Sequence, residues 1–567
     1  MAAHHPLTQR KPCAEGCTLH GTCHEELGRC DCPLFRTGPT CAELLPGARG
    51  VCKAAGLSWD ACTGAKQVAP CLNSCNLRGT CVGGFCHCLP GHFGADCALS
   101  IGESGEMLLL AGQNYTQRLR GPRIYVYELP SAMAWTNFAR LDRPLHLLLW
   151  QRLASSGVRT LDAASADYFY LPLNTRSRQS VTLVAALDYV RGTWPWWDET
   201  QGRRHLILHT GDLGVTELFN KTWGRQDFMR EAGNAIWLTH WGLTEDHPKG
   251  LWPAAHRPGQ DIVIPVQFNT ISLRGTTLHP SAPLPVKNST LYFAGRVCGR
   301  GLGLGPPGAD GNCGSKGGEY SAGTRQRVYF HHHQRSNYTF LAHAGHALLP
   351  HIAASRYCLA PTGGGHGKRQ VLAAALGCVP VTVTDNVLQP FEPELDWGGF
   401  SVAVAESAIP QLHLLLEGLG GKRLAAMQVA LPCAAQHMLF SGSLGSVLGD
   451  DGRFDAFETL MAILLVRLRH PALPPSQYTA VDQAFRRFAA CQESDEHLVN
   501  EASQVRAPVP LCSHSPWPHP AASPPLLCST CRQQRRPYFN QSNWYGVVGG
   551  AQCCAETAMA RCPRAWA

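Results

Sequence analysis

The sequence predicts an α/β protein: two successive parallel-sheet units, small disulfide-rich modules ahead of them and a Cys/Pro-rich tail behind. Three observations carry that expectation. Of 26 cysteines in 567 residues, 14 lie before Ser100 and 7 after Ala490, so crosslinks crowd both ends. Between Arg123 and Glu406, short apolar runs alternate with helix-compatible stretches, the texture of a parallel sheet with helices on both faces. The length also exceeds that of one compact domain. The expected divisions are modules at 1–50 and 51–100, a first unit at 120–285, a second at 286–490 and a tail at 491–567.

The amino-terminal region holds two six-cysteine repeats. Cys13, Cys17, Cys23, Cys30, Cys32 and Cys41 form the first, and Cys71, Cys75, Cys81, Cys86, Cys88 and Cys97 the second. Both carry Gly-Thr-Cys at the third cysteine, and the repeats resemble EGF-like modules. That resemblance implies first–third, second–fourth and fifth–sixth pairing: Cys13–Cys23, Cys17–Cys30 and Cys32–Cys41, then Cys71–Cys81, Cys75–Cys86 and Cys88–Cys97. Chains so short bury little core, so bridges worth about 2–4 kcal/mol each must hold them. A zinc site is disfavoured by the repeat, and the acidic residues of a calcium-binding module are absent. Cys52 and Cys62 between the modules are placed to pair.

So many crosslinks point to an oxidising compartment, and five Asn-x-Ser/Thr sequons, at Asn114, Asn220, Asn288, Asn337 and Asn540, fit a secretory route. The first residues, MAAHHPLTQRKPC, contain no apolar leader, and no run of 18 apolar residues occurs. A start upstream of this one, bearing a signal anchor, is therefore expected. The net charge of +8 comes without a Lys/Arg block, which argues against nucleic acid as a partner.

Strand-length runs in the first unit are Arg123–Tyr127, Asp167–Leu171, His205–Thr210, Ala235–Leu238 and Asp261–Pro265, with helices near 138–155 and 180–191. The second unit opens with Leu291–Gly295 and has helices around 323–333 and 340–353. Next comes Tyr357–Ala360, a glycine-rich loop (Gly363, Gly364, Gly365, Gly367), the cations Lys368 and Arg369 and a helix reaching Gly377. The strand Val379–Thr384 and Asp385 close the series. Strand, Gly loop, helix and strand place backbone N–H groups and a helix N-terminus against an anion. By spacing alone the loop matches neither the dinucleotide nor the P-loop fingerprint, and a surface loop before a packing helix competes with the anion site. Helices near 424–440, 455–468 and 477–490 are expected to finish the second unit and pack back on the first.

The run CLAPTGGGHGKR, then GCVPV, DNV, QPFE, LDW and FSVAVAESAIPQL, resembles the donor half of the exostosin-like glycosyltransferases. Tyr125-Val-Tyr127, Ala166–Pro172, Gly202–His205, Asp261–Pro265, Phe293–Arg296 and Tyr320–Arg325 extend the likeness over about Arg123–Leu412. With its EGF-like repeats the chain resembles green-algal members. The resemblance implies two Rossmann-like units facing across a cleft, the GT-B architecture. It also implies inverting transfer from a nucleotide-sugar, UDP-linked by expectation, to a glycoprotein glycan or a cell-wall or matrix polysaccharide in the Golgi. The EGF-like repeats would be spacers or docking modules. The competing class is a non-catalytic extracellular glycan-binding or adhesion protein built on the same scaffold.

Such chemistry needs cations for the departing diphosphate, a grip on the ribose and a base for the acceptor hydroxyl. Arg296, Arg325 and Arg369 are the diphosphate candidates, with Lys368 and His366 in support. Glu392 is placed for the ribose hydroxyls. Asp385 is equally well placed, or caps the next turn. For the base, Asp212 lies past a strand end of the first unit, where a turn cap is the competing role; His240 and Glu319 are fallbacks. Asp310-Gly-Asn312 is a poor metal motif, so no cofactor and no divalent cation is expected. His331–His333 are expected to be exposed and inert, since consecutive helical positions cannot converge on one ion. Trp194, Trp196 and Trp197 fit core packing at a turn slightly better than sugar stacking.

Overall fold

The structure, a computed structural model, describes residues 12–20, 22–24, 29–31, 36–37, 39–44, 71–82, 85–112, 117–118, 121–130, 145–173, 180–218, 225–267, 286–297, 320–342, 348–363, 368–441, 446, 448, 450 and 452–492. His366, Glu319, Asp310–Asn312, Cys32, Cys52, Cys62 and every tail cysteine from Cys512 on lie outside the described residues, as does the side chain of Cys81.

In the modules, disulfides join Cys13 to Cys23, Cys17 to Cys30, Cys75 to Cys86 and Cys88 to Cys97. The second module is bolted to the first α/β unit. Glu128 accepts from the Ala95 N–H at 2.9 Å and from the Arg159 guanidinium at 2.7 Å, and Arg159 also lies 3.8 Å from buried Asp96. Charges paired in that way, away from water, fix orientation. A loose spacer does not describe this module.

The first unit is a six-stranded, all-parallel sheet. In chain order its strands are β1 (Ile124–Val126), β2 (Arg159–Thr160), β3 (Tyr168–Leu171), β4 (His205–His209) and β5 (Ile236–Thr239), while Ile262–Val263 (β7) ends the sheet; Gly242–Leu243 (β6) leaves it. The spatial order is β2-β1-β3-β4-β5-β7. Strands buried on both faces explain the continuous apolar runs. Alternate residues feed two cores. Tyr168, Tyr170, Leu206 and Leu208 face helix α1 (Leu145–Ser155), whereas Phe169, Leu171, Ile207 and Trp237 face α2 (Ser180–Thr193) and Trp197.

The second unit is a five-stranded parallel sheet of β8 (Ser289–Ala294), β9 (Tyr338–Leu341), β10 (Ser355–Pro361), β11 (Val379–Val383) and β13 (Val402–Val404), in the order β9-β8-β10-β11-β13; Val387–Leu388 is β12. Helix α3 (Thr324–His332) links β8 to β9, and α4 (Arg369–Ala375) links β10 to β11. A disulfide between Cys358 in β10 and Cys378 just before β11 encloses the Gly loop and α4.

The two sheets meet at their carboxyl ends. β6, just past β5, pairs antiparallel with β12, just past β11, at Gly242↔Leu388 and Leu243↔Val387. Trp241, Leu243 and Trp252 of the first unit pack with Ala322 and Val387 of the second. Helix α5 (Gly420–Met438) covers the second sheet, and α6 (Ala456–Arg469) returns to the first. There Arg118 binds Glu458 at 2.7 Å and the Tyr168 hydroxyl donates to the Leu464 carbonyl. This is the expected facing-unit architecture.

Two local expectations need correction. The helix expected over 340–353 is a strand to Leu341 and a helix only over Leu348–Ala353, because Tyr338-Thr-Phe-Leu341 is an aromatic, β-branched run that suits an edge strand. The His331–His333 run is not wholly exposed. His332 is buried, its Nε2 lies 2.7 Å from the Ile409 carbonyl, and burial lowers its pKa. Consecutive helical positions sweep around the axis, so one of three must point inward. The tryptophans pack as core: Trp194 lies 5.1 Å from Tyr127 and Trp196 6.2 Å from Phe169, with Trp197 buried beside them.

Candidate active site

The order of the second sheet reverses between β8 and β10, and such switch points open a crevice beyond the strand ends. The residues leaving β8 are Gly295 and Arg296, and those leaving β10 are Thr362 and Gly363. Two guanidinium groups converge there. Arg325, on the first turn of α3, is 2 % exposed; its Nε donates to the Thr362 carbonyl at 2.9 Å and its Nη1 to the Arg296 carbonyl at 3.3 Å. Arg369, the first residue of α4, donates from Nε to the Ala294 carbonyl at 3.2 Å. Their guanidinium carbons lie 5.6 and 5.1 Å from the centre of one ring, Phe293. The ring and the carbonyls offset the cost of desolvating each cation.

Gly295 is required by this arrangement. A Cβ there would collide with the Arg369 guanidinium. The backbone before α3 is equally constrained, with Ser321, Ala322 and Gly323 at φ of 62°, 52° and 80°. Three successive left-handed residues, two of them not glycine, mark a segment held by its surroundings. One restraint is the Ser321 N–H, which donates to the Gly363 carbonyl at 2.8 Å. The buried Thr362 hydroxyl has no hydrogen-bond partner among the described residues. Arg296 and Lys368 are exposed at the same rim.

Glu392 sits in the turn Gln389–Glu392, which is tied to the first unit because the Phe391 N–H donates to the Val263 carbonyl at 2.6 Å. Its Oε2 accepts from the Gln389 N–H at 2.8 Å, and burial pushes its pKa up, aided by Asp396 and Glu394. Asp385 is exposed, and its Oδ1 accepts from the Glu406 N–H, so it caps the segment after β13. Glu406, inside the SVAVAE run but not singled out from sequence, is half-buried with a raised pKa caused first by desolvation and then by Asp385. Lys249 of the first unit opposes that shift and donates to the Ala322 carbonyl at 2.9 Å.

Across the cleft, β4 ends at His209, and Asp212 lies half-buried in the loop that follows. The same loop brings Glu217 to His209, with Oε2 at 3.8 Å from Nε2 and Oε1 accepting from the Leu213 N–H at 2.9 Å. Sequence reasoning passed over both residues; the signal was a His and a Glu flanking Asp212 just past a strand end. His240 is buried, with Nδ1 2.9 Å from the Ile264 carbonyl, a tie between the exits of β5 and β7. Leu213 packs on the cluster that contains Ala322, so the 209–217 loop borders the segment leading into Arg325. The geometry thus offers a cluster of guanidinium groups at the strand ends of the second unit and carboxylates with imidazoles at those of the first.

Residues 118–419, just over half the chain, match the model of the exostosin GT47 domain, and residues 71–97 match that of the EGF-like domain. The chain is 26 % identical over 369 residues to a rice protein (Oryza sativa subsp. japonica) named "Probable glucuronosyltransferase", covering 62 % of this chain and 81 % of the relative. It is 27 % identical over 336 residues to an Arabidopsis thaliana protein named "Probable glucuronoxylan glucuronosyltransferase", covering 54 % and 66 %. A third relative, an Arabidopsis thaliana "Probable beta-1,4-xylosyltransferase", is 24 % identical over 348 residues, covering 56 % and 76 %.

Proposed function

We propose, from the premise that this chain belongs to the exostosin GT47 family and is a glycosyltransferase, that it moves a sugar from a UDP-linked donor to a matrix or cell-wall polysaccharide with inversion at the anomeric carbon. The observation that carries the donor half is the pair Arg325 and Arg369 on the ring of Phe293, at the switch point of the second sheet. Charge growing on the leaving diphosphate would be met by these guanidinium groups and by Arg296 and Lys368 at the rim, with His366, which lies outside the described residues, in support. Glu392 would accept from the ribose hydroxyls, with Asp385 holding the neighbouring segment. With fixed cations in place the reaction needs no divalent ion.

The acceptor hydroxyl would approach from the first unit, where the loop bearing Asp212 takes its proton. Relatives named as glucuronosyl- and xylosyltransferases make a xylan-like chain the first acceptor class to try, and glycoprotein glycans the second. The disulfide-rich modules fit action in the Golgi lumen. Among the described residues no helix is long and apolar enough to cross a membrane.

The test is transfer by the purified chain from UDP-glucuronic acid and UDP-xylose to xylan oligosaccharides in EDTA. Product with inverted anomeric configuration supports the reading. A chain that binds oligosaccharide but neither binds nor turns over any UDP- or GDP-sugar is a glycan-binding protein instead.

A further inference from the structure

We infer that Glu217 is the catalytic base on the acceptor side; the inference rests on the transferase reading above. Glu217 lies in the short 3-10 helix Gly214–Leu218 that follows β4, at the edge of the first sheet that meets the second unit. Its carboxylate is held by one backbone hydrogen bond and stands beside an imidazole. The Leu213 N–H donates to Oε1 at 2.9 Å, and the ring of His209 stands 3.8 Å from Oε2. The side chain is 22 % exposed, whereas His209 behind it is fully buried. A base must touch the acceptor, so the partly exposed carboxylate, and not the buried imidazole, is the group that can act.

Gly211 shows that the arrangement is built. A Cβ at this position would collide with both His209 Nε2 and the Glu217 carboxylate, so a larger residue would displace these side chains from where they stand. Leu213, whose N–H grips Glu217, packs in the cluster containing Ala322, three residues before Arg325. Leu213 thus joins the carboxylate to the segment that leads into Arg325.

In the step that follows, the acceptor O–H bond breaks and its proton passes to a carboxylate oxygen of Glu217. The freed electron pair forms the new bond to the anomeric carbon. The bond from that carbon to the diphosphate oxygen breaks on the opposite face, and the nucleoside diphosphate leaves with its electrons.

The test uses the whole chain and compares wild type, Glu217→Gln and Glu217→Asp for UDP affinity and for transfer to xylan oligosaccharide. A lost base is expected to lower transfer by about 100-fold or more in E217Q, with UDP affinity within about twofold of wild type. E217D keeps a carboxylate on a shorter arm and should retain part of the rate; it also decides the matter if E217Q lowers the thermal midpoint. Transfer by E217Q within about threefold of wild type would overturn the inference while leaving the transferase reading intact. A wild-type chain that binds no UDP and transfers nothing overturns both.

Discussion

The two α/β units repeat one architecture and fill the ends of their central strands with opposite chemistry. In the second unit the residues past β8 and at the starts of α3 and α4 are arginines seated on Phe293. In the first, β4 ends in His209, and Asp212 and Glu217 follow it. Each arrangement depends on one glycine whose missing side chain makes room, Gly295 for Arg369 and Gly211 for the His209–Glu217 pair. The fold supplies two similar sheets, and the proposed function gives their strand ends different tasks, one toward a polyanion and one toward a hydroxyl that must lose a proton. Similar sheets do not imply similar roles.

The largest break in that contrast is expected from Arg325→Ala. It removes a buried cation and leaves the Thr362 and Arg296 carbonyls without their donor, so UDP affinity should fall by about 100-fold and the thermal midpoint should drop. Calorimetry on the variant measures both, and unchanged UDP affinity would place the diphosphate elsewhere. A smaller effect is expected from replacing Cys358 and Cys378 together by serine. Opening a loop of that length costs about 3 kcal/mol, and the loss should appear as weaker UDP binding and faster hydrogen exchange in the second unit. The first unit should keep its protection.

The smallest effect is one of pH, and it should not separate the units. Burial lowers the pKa of His205 to about 3 and those of His256 and His437 to about 4. The unfolded chain then binds more protons than the folded one below pH 6.5, so stability is full above that value and lost as the pH falls towards 4. His205 and His256 lie in the first unit, and His437 sits on α5 of the second. A midpoint that is flat from pH 7 to 4.5 would contradict this.

Much of the fold was legible in the sequence because buried parallel strands must be apolar throughout. The runs at Tyr168–Leu171, His205–His209 and Val379–Val383 needed no pairing information to be read. Tyr338–Leu341 was missed because an edge strand with half-buried residues looks like the start of the helix behind it. The cations of the site were legible because Arg325 and Arg369 open helices beside glycine loops. Their shared platform, Phe293, was not, since a phenylalanine at a strand end reads as core. Glu217 and Glu406 escaped for a related reason: a lone carboxylate carries no pattern until the cleft wall that surrounds it is seen. The pairing of β6 with β12, which sets that cleft, joins two dipeptides with no strand signal of their own.

The account stands most directly on titration of UDP into the whole chain in EDTA, with wild type and Arg369→Ala side by side. Wild type should bind without metal, and R369A should bind at least about tenfold more weakly with little change in thermal midpoint, since its guanidinium is only half-buried. Binding that appears only with manganese, or that R369A leaves untouched, would contradict a cationic donor site in the second unit.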